Sequence, residues 1–255
     1  MEVHAHSHTH GKKNWKSYFW EFLMLFLAVF CGFLAENKRK HIVEHKRTKL
    51  YAQQFYEELK LDTISLARSL KRTGSEYAYH DTLIAVLKTG LAGDKDWKNL
   101  YYASFNIDIY NTITFHNASF EQIKNSGSLR NFTNKPLVDA IQEYINKKDH
   151  VESFQTSLVN HYDTRLTPFV DANFDKELLY YNYAVPNRHR FDSLWDKSSQ
   201  PTIFLSGNKN AATQLKNMAI TIMDSYVSEL GRQYSILLDK SNHLIEILKE
   251  EYHLE

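Results

Sequence analysis

The chain has 255 residues, which is enough for one large domain or two small ones. Its hydrophobic content of 43% and charged content of 24% are those of a globular protein, and its 8 Gly and 4 Pro exclude a collagen-like or low-complexity chain. A formal charge of +1 gives no overall electrostatic argument for nucleic-acid binding, and the single Cys excludes an internal disulfide.

Residues 1–17 form a polar tail in which His4, His6, His8 and His10 alternate with other residues as HAHSHTH. Four imidazoles in a flexible peptide are able to chelate a divalent transition metal such as zinc, nickel or copper. The alternative is a solvated tail, or a segment that contacts lipid headgroups, without a metal. These four histidines are therefore the candidate metal ligands, and no other cofactor is expected.

Residues 18–35 form a continuous apolar run, YFWEFLMLFLAVFCGFLA, in which Glu21 is the only charged residue. As a helix the run is about 27 Å long, close to the roughly 30 Å hydrocarbon core of a bilayer. Aromatic residues lie at its N-terminal edge and basic residues at its C-terminal edge, as at membrane interfaces. The pattern predicts a single transmembrane helix.

A cleaved signal peptide and a buried core helix are the alternatives for this run. The run passes directly into ENKRKHIVEHKRTK without a small-residue cleavage site, which disfavours a signal peptide. A core helix is rarely apolar on all sides over this length. The membrane anchor is therefore preferred.

The two flanks of the predicted span differ in basic residues. The N-terminal flank carries Lys12, Lys13 and Lys16, and the C-terminal flank carries Lys38, Arg39, Lys40, Lys46, Arg47 and Lys49. The positive-inside rule then places the large domain in the cytoplasm, although long domains cross membranes regardless of charge. The expectation is a slight preference for the cytoplasmic side.

Residues 36–255 are predicted to form a stalk and a helical bundle. From Glu36 to Arg72 the chain lacks Pro and Gly, and its apolar residues recur at spacings of mostly three, four or seven, which indicates one helix leading from the membrane into the bundle. A turn is predicted at 73–75, followed by helices over 77–91 and 96–110.

The passage FHNASFEQIKNSGSLRNF contains signals for a short helix. Asn117 or Ser119 is the candidate N-cap, with Gln122 three residues after Ser119 in a capping box. Gly127 stands where a left-handed residue ends such a helix.

A long helix is predicted to start at Asn134, because Pro136 is tolerated in a first helical turn. Pro168 should kink or end this helix. A short helix near 175–183 and a loop-rich crossover are expected before the last helix, which starts near Asn208 and has Gly231 as its one weak point.

No alternating run is long enough to found a sheet. The predicted class is all-α, with an N-terminal transmembrane helix that continues into a long stalk helix and an antiparallel helical bundle.

The start of the chain, MEVHAHSHTH followed by KKNWKSYFWEFLMLFLAVFCGFLAEN and EELKLD, resembles that of an uncharacterised family of single-pass helical proteins common in Bacteroidota. The passage TFHNASFEQIKNSGSLRNFTNKPLVDAIQEY is similar to the central motif of the same family, and the resemblance fades after about residue 165. It implies a membrane-attached helical domain in a bacterial envelope. A single-pass protein of the bacterial inner membrane is therefore expected, and no catalytic residue is carried over.

His41, Glu44 and His45 spell H-x-x-E-H, the inverted zincin pattern. A catalytic zinc also needs a third ligand and a cleft, and the surrounding Lys and Arg residues repel a cation. No Gly-rich phosphate loop, nucleophile elbow or paired Cys ligands occur in the sequence. An enzyme is disfavoured.

The sequence therefore predicts a non-enzymatic, membrane-anchored helical-bundle protein that acts as an interaction, scaffold or sensory module of the bacterial envelope. Its expected partners are the lipid bilayer and a protein partner or second copy; nucleic acid is not expected, and no small-molecule substrate is identified. The alternative is a metal-binding membrane protein that uses the N-terminal His run.

Overall fold

A computed structural model describes residues 14–91, 94–107, 110–174, 188–196 and 209–254. Within these ranges the chain is mainly helical and has no strand, which confirms the all-α class. It divides into two units, Met1–Tyr51 and Ala52–Glu255, which are described separately.

The described helices are numbered here in chain order. They are α1 (Trp15–Thr89), α2 (Asp94–Ile107), α3 (Ala118–Asn125), a 3₁₀ turn (Ser128–Asn131), α4 (Lys135–His161), a first π segment (Tyr162–Leu166), α5 (Thr167–Asn173), α6 (Arg188–Trp195), α7 (Lys209–Thr221), a second π segment (Ile222–Ser228) and α8 (Glu229–Tyr252).

Helix α1 is 75 residues long, so the predicted turn at 73–75 is wrong. Gly74 costs about 1 kcal/mol in a helix interior, but its neighbours Thr73 and Glu76 are buried in the core of the second unit. The Thr73 hydroxyl donates to the carbonyl of Ser69, one turn earlier, at 2.9 Å. Packing therefore outweighs the local propensity for a turn.

The core of the second unit is built from three long helices whose buried residues alternate at spacings of three and four. On α1 these include Phe55, Leu59, Asp62, Leu66, Ser69, Thr73, Glu76, His80 and Leu83; on α4, Leu137, Ile141, Tyr144, Val151, Gln155 and Leu158; on α8, Leu230, Tyr234, Leu237, Ser241, Leu244 and Leu248. This period is that of helices packed nearly along one another.

Helices α4 and α8 are antiparallel. Near the start of α4, Glu143 pairs with Lys240 at 2.6 Å, and at its end the ring of His161 lies 5.2 Å from that of Tyr226, which precedes α8. As the residue number rises on one helix, it falls on the other. The predicted antiparallel packing is confirmed for this pair.

The ends of α3 and α4 follow their predicted signals in part. The side chain of Asn134 accepts the backbone N–H of Leu137 at 3.2 Å, with proline in the first turn, and Gly127 has φ 66. Asn117 is the N-cap of α3 but makes no capping hydrogen bond with its side chain. A carboxylate from α1, described below, contacts this helix start instead.

Pro168 does not end the helical path. It lies in the first turn of α5, where a missing N–H is tolerated. The π segment before it is wider than an α turn, and the N–H of Thr167 donates to the carbonyl of Tyr162, five residues back. The helical path then extends to Asn173.

The C-terminal helical path runs from Lys209 to Tyr252, close to the prediction, but its irregularity is the second π segment rather than Gly231. A Cβ at Gly231 would lie 3.2 Å from Cγ2 of Thr73, so glycine permits α8 to approach α1 closely. The predicted helix near 175–183 lies outside the described residues. The crossover contains α6, which was not predicted and which packs Trp195 against Tyr101 of α2, with ring centroids 5.5 Å apart.

Candidate functional site

The apolar segment of α1 has exposed side chains. Its most apolar window has a mean hydropathy of 2.0 and is 0% buried, which contradicts the buried core helix among the alternatives. Exposed apolar surface of this extent is unfavourable in water. By length and composition the segment is suited to a membrane anchor or a signal sequence.

Of the residues in the sequence-based metal predictions, the structure describes only those of the H-x-x-E-H pattern. His4, His6, His8 and His10 lie outside the described residues. His41 and His45 are exposed on α1. Among the described residues no group of three His, Cys, Asp or Glu side chains is placed to hold a metal ion.

A buried polar cluster surrounds residues 110–117, which we call the extended segment because it is not helical. Its residues alternate between the core and the surface, with Asn111, Ile113 and Phe115 buried. An extended backbone with no neighbouring strand needs other hydrogen-bond partners when it is buried. Side chains from three helices supply them.

Gln155 of α4 pairs with Ile113 of the extended segment as a second peptide group would. The N–H of Ile113 donates to Oε1 of Gln155 at 2.6 Å, and Nε2 of Gln155 donates to the carbonyl of Ile113 at 3.1 Å. The hydroxyl of Tyr234 on α8 lies 2.7 Å from the same Oε1 and 3.0 Å from the carbonyl of Asn111. Both backbone groups of a buried residue are thereby satisfied.

On the α1 side, the side chain of Asn111 makes two contacts with Ser69. Its Nδ2 donates to the carbonyl of Ser69 at 2.9 Å, and its Oδ1 accepts the Ser69 hydroxyl at 3.2 Å. The extended segment is thus fixed to α1, α4 and α8 by polar side chains.

Asp62 of α1, only 1% exposed, is a second centre of this cluster. Its Oδ1 accepts the backbone N–H of His116 at 3.1 Å and lies 2.7 Å from Nδ1 of the same residue, while its Oδ2 accepts the Tyr144 hydroxyl at 3.0 Å. Burial, and then the Asp62 charge, raise the pKa of Tyr144, so its phenol remains a donor. The carboxylate has the partners that a buried charge requires.

One turn earlier on α1, Glu58 accepts the backbone N–H of Ser119 at 3.0 and 3.2 Å from its two oxygens. This places a negative charge at the N-terminus of α3, where it is favourable. The predicted capping box would have satisfied this helix start with side chains of α3 itself. The structure uses a carboxylate from another helix instead.

Glu76 and His80 form a buried titratable pair further along α1. Nδ1 of His80 is 2.9 Å from the carbonyl of Glu76, and Nε of Arg72 is 3.6 Å from Oε1 of Glu76. Burial raises the pKa of Glu76 to about 7, against the opposing charge of Arg72, and lowers the pKa of His80 to about 4. Both groups therefore favour their neutral forms.

A surface cleft of about 650 Å³ lies between the end of α4, the first π segment and α7. It is lined by His161, Thr164, Arg165, Asn210, Thr213, Gln214, Asn217, Met218 and Thr221. Neither the Asp62 cluster nor the Glu76–His80 pair contributes to it.

The sequence analysis missed these polar groups, although a signal for some of them exists. Asp62, Ser69, Thr73, Glu76 and His80 occupy core positions of the α1 repeat where apolar residues are the rule. A polar residue at a core position indicates a buried partner, but the partner itself, such as the Asn111 side chain 42 residues away for Ser69, has no local signal.

The chain has no significant match to a protein-family model, a curated protein or a solved structure.

Proposed function

We propose that this protein is a membrane-anchored helical-bundle protein that acts as a non-enzymatic interaction or scaffold module of a bacterial envelope. The observation that carries the proposal is the exposed apolar segment over residues 18–35 of α1. A helical domain joined to such a segment is retained at the bilayer, where its surface is available to protein partners.

The organisation of the core supports a structural role for the buried polar groups. Asp62, Gln155 and Tyr234 contact backbone groups of the extended segment, and these contacts specify how the helices pack. The resemblance of the N-terminal and central passages to single-pass proteins of Bacteroidota supports the envelope setting.

Membrane fractionation tests the anchor. After extraction with alkaline carbonate, we expect the full chain to remain with the membranes. Leu25→Arg combined with Val29→Arg, two side chains that are 70% and 69% exposed, should release it, because each arginine costs about 2.5–3.5 kcal/mol at the centre of a span.

The matched control is Leu61→Arg combined with Ile64→Arg. These side chains are also exposed on α1 but lie beyond the apolar run, so this variant should remain with the membranes. Recovery of the wild-type chain as a soluble protein would refute the anchor.

Intact mass spectrometry separates an anchor from a signal sequence. The anchor requires a membrane-bound species at 30.0 kDa, the mass of the whole chain. A shortened species without the apolar run would show that the segment is removed.

Photo-crosslinking in the native membrane tests the interaction role. We expect discrete adducts, with another protein or with a second copy of the chain, when a photoreactive residue replaces exposed residues of α4 or α8. A complete lack of adducts at all exposed positions tested would contradict an interaction module.

Metal binding by the N-terminal His run is the second candidate, favoured by the alternation of His4, His6, His8 and His10. Calorimetric titration with zinc, copper and nickel should give binding that disappears when the four are replaced by Ala. A variant with His41→Ala and His45→Ala serves as the control and should bind as the wild type does. Unchanged metal tolerance in cells that carry the four-Ala variant would rule out a cellular metal role.

A further inference from the structure

The cleft between the end of α4, the first π segment and α7 has a volume of about 650 Å³. Small-molecule sites commonly have volumes of about 300–1,000 Å³. Its polar lining sets it apart from the mostly apolar pockets of that range, so the chemistry of its walls determines what could occupy it.

One wall of the cleft is a face of α7 that carries amides and hydroxyls but no charge. Its residues recur at helical spacing: Asn210, Thr213, Gln214, Asn217 and Thr221. The opposite face of α7 is buried through Ala211, Leu215 and Ala219. Amide groups supply paired donors and acceptors, which is the lining that hydroxyl groups of a ligand require.

The other wall carries the only permanent charge among the lining residues. Arg165, on the first π segment, is exposed and pairs with no acidic side chain within the part of the chain that is described. The lining contains no carboxylate. A guanidinium in this setting favours a carboxylate, which it is able to bind through two parallel hydrogen bonds.

His161 adds a neutral polar group beside Arg165. Burial, and then the charge of Arg165, lower the pKa of His161, which favours the neutral imidazole. Its Nε2 is buried and has no hydrogen-bond partner among the described residues. Buried polar atoms normally have a partner, and a ligand or water in the cleft could supply one.

Both π segments help to shape this site. The first provides Thr164 and Arg165. The second provides Tyr226, whose ring lies 5.2 Å from that of His161 and 5.7 Å from that of Phe154, so the imidazole is held in place. Single π turns are rare and occur frequently at functional sites.

We propose that this cleft binds a small hydroxylated carboxylate of the sugar-acid class. The carboxylate pairs with Arg165, the hydroxyl groups bond to the amides and hydroxyls of α7, and the carbon skeleton packs against Met218. Neither the anchor nor the interaction role is needed for this assignment.

Methyl NMR of the full chain in detergent micelles tests the site directly. With ¹³C-methyl methionine the protein has 4 labelled residues, of which Met218 lines the cleft and Met223 does not, and Met218→Leu assigns the reporter signal. Glucuronate should shift the Met218 signal saturably. Glucose, which lacks the carboxylate, and acetate, which lacks the hydroxyls, should each bind at least about tenfold more weakly.

Two variants locate the binding. Arg165→Gln should weaken glucuronate binding about tenfold or more, since a bond to a charged group is lost. Asn217→Asp should do the same by placing a negative charge in the cleft. The controls are Arg68→Gln and Asn242→Asp, exposed positions outside the lining, which should leave the affinity unchanged.

The proposal is overturned if the Met218 signal is unmoved by glucuronate at high millimolar concentration in a protein whose helical circular dichroism is intact. It is also overturned if glucose or acetate binds as well as glucuronate, or if Arg165→Gln and Asn217→Asp both bind it as the wild type does. All these outcomes are independent of the membrane anchor.

Discussion

Glu76 and His80 are buried one helical turn apart. Burial raises the pKa of Glu76 to about 7 and lowers the pKa of His80 to about 4. The raised pKa of Glu76 gives stability that is present below pH 4.5 and is lost as the pH rises through 7. The lowered pKa of His80 gives stability that is present above pH 6.5 and is lost as the pH falls through 4. Between these limits the two contributions oppose each other.

Replacing one member of the pair should therefore expose the pH dependence of the other. The unfolding free energy of Glu76→Gln minus that of wild type should rise by about 3 kcal/mol from pH 4 to pH 8, since one pKa unit corresponds to about 1.4 kcal/mol. The unfolding free energy of His80→Gln minus that of wild type should instead rise as the pH falls. Urea unfolding followed by helical circular dichroism measures both.

The exposed residue Asn242, whose side chain does not titrate, provides the control for this pair. The difference between Asn242→Gln and wild type should be flat over the same pH range, because this substitution removes no titratable group. A flat difference for Glu76→Gln as well would show that the buried carboxyl does not titrate as described.

The substitution Gly231→Ala tests how closely α8 approaches α1. Alanine is favoured over glycine in a helix by about 1 kcal/mol, but its Cβ would lie 3.2 Å from Cγ2 of Thr73. Thr73 is buried and its hydroxyl is bonded to Ser69, so it has little freedom to move. We expect Gly231→Ala to lower the unfolding free energy by about 1 kcal/mol.

Thr73→Ser removes Cγ2 and retains the hydroxyl, and so distinguishes a steric cause from a conformational one. In the Thr73→Ser background, Gly231→Ala should be neutral or stabilising. Destabilisation of the same size in both backgrounds would exclude the contact with Thr73 as its cause.

At the scale of elements, the extended segment depends on Gln155. Gln155→Leu leaves the N–H and carbonyl of Ile113 without their side-chain partner and removes an acceptor of the Tyr234 hydroxyl. Unpaired buried polar groups cost about 1–3 kcal/mol each, so we expect a loss of about 2–4 kcal/mol in urea unfolding. Gln142→Leu, at an exposed position of the same helix, should change stability by less than about 0.5 kcal/mol; equal effects would contradict the pairing.

The helices with strong local signals were predictable from sequence. Asn134 with Pro136 marks the start of α4, and Gly127 adopts the left-handed conformation expected after α3. Where prediction failed, the cause lies elsewhere in the chain. The helix continues through Gly74 because its neighbours are buried, and the start of α3 is met by Glu58 from α1.

The candidate sites were less predictable than the helices. The His run and the H-x-x-E-H pattern are visible in sequence, whereas the cleft joins Arg165 to residues of α7 about fifty positions away. No periodicity within α4 or α7 alone indicates that these two faces line one space. Tertiary packing creates the site.

At the scale of the whole molecule, the proposed anchor raises the question of which side of the membrane the second unit would occupy, and this is open to a direct measurement. The basic residues that follow the apolar run favour the cytoplasm. We expect Ser235→Cys, at an exposed position on α8, to resist an impermeant thiol reagent in intact cells and to react after lysis, in a background with Cys31→Ser. Labelling of intact cells would reverse this orientation.

The extended segment also has a consequence for biosynthesis. The carbonyl of Asn111 is contacted by Tyr234, a residue 123 positions later in the chain. The backbone N–H of Ile113 donates to the side chain of Gln155, which is also synthesised later. A ribosome adding about 5–20 residues per second needs several seconds or more to cover that distance, and non-local contacts of this kind slow folding. The native contacts of this segment therefore form only after α8 has been synthesised, and we expect the segment to be more open to protease cleavage in a nascent chain that stops before Tyr234 than in the finished protein.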